Sequence, residues 1–140
     1  MPCLSGRFDR AIGPIINIGV ALSASITPAS AAQGVPISFF PALIDTGATI
    51  TCVAPQVVRT VVLRPSGKRE MVSAHQSAPV NVYLVDLILP FGSAGLHMPD
   101  VQVMEFAGSP SNPFQMLLGR DILCRGTLTI SFDGHFTFAL

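Results

Sequence analysis

The sequence predicts a mostly β fold, a small barrel or sandwich of short strands carrying one or two short helices. Composition is the first observation behind this: thirteen Val, eleven Ile and eight Thr stand against two Glu and one Lys. β-branched side chains pack well on a pleated surface, and the scarce residues are common helix formers. The second is punctuation. Twelve Pro and twelve Gly divide the chain into pieces too short for a helical bundle. The third is alternation: Ile16, Ile18, Val20 and Leu22 recur at period two, which gives one apolar strand face.

Taken in order, residues 14–25 form a strand and 26–34 a loop of small residues. A second strand, 36–44, leads directly into Asp45-Thr46-Gly47-Ala48, and 49–53 is extended again. Residues 55–63 form a short helix, with Pro55 at its first position and Val57, Val58, Val61 and Val62 on one face. Residues 69–73 and 79–89 make a hairpin that turns near 74–78. Residues 99–106 form a strand, 108–113 a loop, and 116–118 a short apolar strand. Gly119 then opens a helical turn or two through 121–125. Last, 127–132 and 135–140 flank Asp133-Gly134, the strongest two-residue hairpin signal in the chain. Nothing resembles a linker or a repeat, so residues 1–140 are read as one domain.

The segment around 12–24 also imitates a targeting signal, because Arg7 and Arg10 precede it and Ala29-Ser30-Ala31 resembles a cleavage site. Gly13, Pro14, Asn17 and Gly19 interrupt it and Asp9 sits among the basic residues, so the strand reading is preferred and a cytoplasmic location expected. Cys3, Cys52 and Cys124 form no CxxC pair and signal neither a disulfide framework nor a zinc knuckle.

Eight basic and eight acidic side chains leave a formal net charge of zero. Nucleic acid is not an expected partner, because no basic run exceeds Lys68-Arg69. No uninterrupted apolar stretch reaches about 18 residues, so no membrane span is expected. With so little charge to keep copies apart, self-association is expected.

Among eight carboxylates, most lie near turns or polar neighbours and are read as solvated surface charges. Asp45 differs: it ends the apolar run Phe39-Phe40-Pro41-Ala42-Leu43-Ile44 and precedes Thr46-Gly47-Ala48. A carboxylate emerging from a buried strand carries a desolvation cost unless it is hydrogen-bonded or functional. The second feature is Leu117-Leu118-Gly119-Arg120-Asp121, where Gly119 allows another backbone segment to come close.

Leu43-Ile44-Asp45-Thr46-Gly47-Ala48 followed by Leu117-Leu118-Gly119-Arg120-Asp121-Ile122-Leu123 resembles the retropepsins, the single-domain aspartic proteases of retroviruses and their cellular and bacterial relatives. The resemblance implies a small closed barrel-like acid-protease fold, one lobe per chain, and an aspartic endopeptidase that needs no cofactor and no metal. It implies Asp45 as the catalytic acid. Two carboxylates about 3 Å apart cannot both ionise, so a pair shares one proton and supplies acid and base together. This chain carries one Asp-Thr-Gly and therefore one such acid, so the activity requires a homodimer that pairs Asp45 with its copy. The apolar C-terminal residues Leu128, Ile130, Phe132, Phe136 and Phe138 suit either an interface sheet or ordinary core.

By the same resemblance Thr46 bonds across the axis, and Gly47 admits the backbone of an extended peptide substrate. Leu117, Leu118 and Gly119 pack behind the acid loop, and Arg120 ties the short helix to it. The 69–83 hairpin becomes a flap over the substrate, with Ala74, His75, Gln76 and Ser77 at its tip and His75 at the cleft. Departures stand beside these expectations: the tip lacks the glycines of viral relatives, and Thr49 stands where an acid often pairs with the Arg. The chain also continues past Phe132 into a further strand. Two other readings remain. One is a catalytically inactive peptide-binding or dimerisation module of the same fold. The other is a metal hydrolase built on His75, His97 and His135, which no spacing motif supports.

Overall fold

The structure is a computed structural model that describes residues 2–27, 34–72, 74 and 77–140. Its elements in chain order are β1 (Cys3–Arg7), β2 (Ile15–Leu22), β3 (Ser38–Ile44), β4 (Cys52–Val53), α1 (Pro55–Val61), β5 (Gly67–Val72) and β6 (Ser77–Leu89). They continue with β7 (Leu96–Glu105), β8 (Met116–Leu118), α2 (Arg120–Leu123), β9 (Thr127–Ile130) and β10 (His135–Ala139). The expected β-rich fold with two short helices is what forms.

Seven strands make one sheet in the order β2-β3-β8-β4-β7-β6-β5, and an added β2–β6 pairing closes six of them into a barrel. The long β6 makes closure possible, because its first half pairs with β5 and its last residues with β2. The interior is apolar: Ile18, Val20, Val85, Leu87, Leu118 and Ile122 are all fully buried. The alternation in β2 read from the sequence is thus a true core face. α1 places Val57 in the same core, but the helix ends at Val61. Val62 therefore leaves the apolar face assigned to it and stands 69% exposed in a left-handed conformation.

β8 lies between β3 and β4, parallel to the first and antiparallel to the second. β3 and β4 are neighbours in sequence but not in the sheet, so the 45–51 segment that joins them must arch over the end of β8. This one topological fact creates the candidate site.

A second sheet, β1-β10-β9, packs beside the barrel. β1 had no counterpart in the sequence reading, because Cys3-Leu4-Ser5-Gly6-Arg7 has only a weak strand pattern and gains its order from β10. Phe136 and Phe138 are buried, and the Phe138 ring lies 5.7 Å from that of Phe91, which joins this sheet to the barrel core. Ile130 and Phe132 are instead 50% and 87% exposed. Phe136 and Phe138 are thus ordinary core with Leu128 packed against it, while Ile130 and Phe132 stand at the surface.

Not every remaining carboxylate is a surface charge. Asp86 is buried on β6, where the β6–β7 register shifts. Its carboxylate accepts the Asp100 N–H at 3.0 Å and bonds His97 Nε2 at 3.0 Å, so the cost of burial is offset by two polar partners.

Candidate active site

Asp45 follows the last residue of β3, and its N–H donates to the Leu118 carbonyl at 3.0 Å. The strand ladder therefore extends one step beyond β3 and places this residue with strand accuracy. Its side chain turns back on the loop, where Oδ1 accepts the Gly47 N–H at 2.9 Å. The carboxylate is half-buried, while Thr46 and Gly47 are exposed. Among the described residues the Thr46 hydroxyl has no hydrogen-bond partner.

The arch rests on α2. A Cβ added at Gly119 would lie 2.6 Å from the Ile50 carbonyl carbon and 2.8 Å from the Thr51 nitrogen. Only glycine permits that approach, as the sequence pattern implied. From this platform the Arg120 N–H donates to the Ala48 carbonyl at 2.9 Å and the Asp121 N–H to that of Thr49 at 3.2 Å. The Arg120 guanidinium donates to the Thr46 carbonyl at 2.7 Å and to the Thr49 hydroxyl at 3.1 Å. Thr49 thus stands in for the acid expected opposite this arginine, and a backbone carbonyl supplies the second acceptor.

Two contributors escaped the sequence reading. Thr51 is fully buried; its N–H and hydroxyl donate to Asp121 Oδ1 at 3.0 and 2.8 Å, and the same hydroxyl accepts the Gly119 N–H at 3.1 Å. This staple closes the far end of the arch. The available signal was an acid in the first turn of a short helix beside a threonine seventy positions upstream, and sequence spacing alone does not reveal such a pair.

A cleft of about 570 Å³ opens between the arch and the β5–β6 hairpin. Asp45 and Gly47 lie on one wall and Arg69, Glu70, Met71 and Val72 of β5 overhang the other. The hairpin thus overhangs the cleft opposite Asp45. Cys52 and Met104 also line the cleft and cluster with Val82, and Met71 and Val80 of the hairpin pack against them. Burial, with the Asp121 and Asp45 carboxylates nearby, pushes the Cys52 thiol up to about 11. The two leucines expected together behind the loop are separated by strand alternation: Leu118 points into the barrel core and Leu117 lines the cleft.

At the hairpin tip, Ala74 is exposed and the Ser77 hydroxyl donates to Glu70 Oε2 at 2.5 Å. His75 and Gln76 lie outside the described residues. His97 and His135 stand in separate groups, the first with Asp86 and the second with Arg7 and Asp133.

A closed barrel, an acid at the end of β3, a glycine-seated arch and an overhanging hairpin thus meet in one lobe. The aspartyl protease family model matches residues 28–122, more than half of the sequence, and the chain belongs to that family. Among solved structures it is similar to a retropepsin-like aspartic protease from Rickettsia conorii. That match has 12% identity and a TM-score of 0.61, covering 97% of this chain and 89% of that one. No curated protein sequence matches it.

Proposed function

We propose that the chain is an aspartic endopeptidase active as a homodimer, in which Asp45 of each protomer meets the other at a two-fold axis. One carboxylate is ionised and takes a proton from water; the other is protonated and gives one to the scissile carbonyl oxygen. The observation that carries this reading is the Asp45 carboxylate itself. It is oriented by the Gly47 N–H, half-buried, and set in the wall of the cleft under the β5–β6 hairpin. The hairpin closes that cleft from above, and a peptide laid along it gains main-chain bonds as an added strand. Fold alone does not confer chemistry, so the reading rests on the site.

Replacing Asp45 by Asn tests it. Cleavage of a peptide with apolar residues at the scissile bond is expected to disappear, while the circular dichroism spectrum and the assembly mass persist. Activity of the unaltered protein rises on mild acidification, because two ionised Asp45 side chains repel. A profile that climbs steadily to about pH 9 contradicts the shared proton.

A further inference from the structure

We propose that Arg69 makes the cleft selective for acidic peptides, its guanidinium receiving an Asp or Glu side chain two residues from an apolar one. The proposal rests on the peptide-cleft reading above and adds the chemistry of the peptide that the cleft takes.

Side chains alternate along β5. Met71 packs against the cluster of Cys52, Val82 and Met104 at the cleft, so Arg69, two positions away, projects from the same face. Its hydrogen bond agrees: Arg69 Nη1 donates at 3.0 Å to Oε1 of Gln102 on β7, two residues from Met104 and on the same face. Lys68 and Glu70 take the other face. Lys68 lies outside the cleft lining, and the Glu70 carboxylate is occupied by the Ser77 hydroxyl at 2.5 Å.

Arg69 is thus the one cation among the described residues that line the cleft, and it is exposed. No carboxylate among the described residues forms a salt bridge with it. Gln102 is neutral and accepts from one of five N–H donors, so it orients the guanidinium without neutralising it. A guanidinium held in this way can grip an incoming carboxylate through two parallel bonds, and it repels a lysine.

Strand geometry sets the spacing. Residues two apart on β5 stand about 6.6 Å from each other, and an extended peptide beside it repeats with the same period. A peptide side chain that packs on Met71 therefore has its neighbour two positions along beside Arg69. In a two-fold dimer each protomer supplies one hairpin, so an acid is favoured on either side of the scissile bond.

Fluorescence anisotropy with the full-length Asp45→Asn protein tests the proposal without turnover. The probes are labelled peptides with a fixed apolar residue and Glu, Gln or Lys two positions to either side. The Glu peptides are expected to bind about tenfold tighter than the Gln peptides, with the Lys peptides weakest. Adding Arg69→Gln should abolish the difference, and Arg69→Glu should invert it. Lys68→Glu, an equal change of charge on the other face of β5, should preserve it. The advantage should also shrink with added salt, and below about pH 4, where the peptide glutamate is protonated. Equal binding of Glu and Gln peptides, no binding of any, or a preference that survives Arg69→Gln overturns the proposal. Acid-selective binding through Arg69 in a chain whose unaltered form never cleaves peptide leaves this subsite standing and removes the catalytic reading instead.

Discussion

The Arg120 guanidinium lies 2.7 Å from the Thr46 carbonyl oxygen, and through that bond the short helix after β8 holds the residue next to the candidate catalytic acid. A second donor of the same group reaches Thr49 at 3.1 Å, so one planar side chain spans both limbs of the arch. The fork geometry matters, because a lysine ammonium offers no two coplanar donors at that spacing.

Arg120→Met is therefore expected to lower kcat/KM strongly while reducing stability by only about 1 kcal/mol, since both acceptors are left near water. Arg120→Lys should recover part of the loss. Urea unfolding beside steady-state kinetics separates the two effects, and a variant with full activity removes the positioning role.

Gly119→Ala places a methyl against the backbone of Ile50 and Thr51. Backbone has little room to yield, so a loss of about 1–3 kcal/mol is expected, with activity falling as the arch is displaced. A variant as stable as the parent in urea contradicts the close approach.

Thr51→Val keeps the side-chain shape but removes the hydroxyl that joins Gly119 to Asp121. A buried N–H then loses its acceptor, at a cost of about 1–3 kcal/mol, and Thr51→Ser should cost less. Chemical denaturation of the three proteins orders them directly.

Cys52 provides a pH-dependent prediction. Its thiol is pushed up to about 11 in the folded chain, above roughly 8.5 for an ordinary thiol. The raised value means that the folded state disfavours the thiolate. The associated stability is complete below the ordinary value and is lost as pH rises through the folded one. At about pH 8, iodoacetamide should therefore modify the exposed Cys3 and Cys124 and spare Cys52 until the protein unfolds. Mass spectrometry reads the adducts, and a third adduct forming at the same rate in the native protein contradicts the burial.

Val62 ends α1 with φ 61° and ψ 51°, a left-handed conformation that a β-branched residue adopts only at a cost. The following Leu63 N–H donates to the Val58 carbonyl at 2.9 Å, the bonding of a helix C-terminus that favours glycine. Val62→Gly should raise stability by about 1 kcal/mol, or about 3 °C in Tm. A lower melting temperature would show that the exposed valine contributes packing of its own.

Much of the barrel was legible along the chain because strand identity is local. The alternation in β2, the apolar lead into Asp45 and the Gly119 step each declare themselves within a few residues. β1 was not legible, since its short polar-mixed pattern acquires meaning only beside β10. The burial of Asp86 is hidden along the chain for a similar reason: it is offset by the Asp100 amide and His97, neither of them adjacent in sequence.

The amino-acid sequence alone determined the acid, its glycine-bearing turn and the second glycine step, because apolar runs and backbone freedom are properties of neighbouring residues. The insertion of β8 between β3 and β4 was decided only in three dimensions, and with it the arch, the Thr51–Asp121 staple and the two acceptors of Arg120. Those contacts join segments about seventy residues apart, and their geometry exists only once the barrel has closed around a shared core.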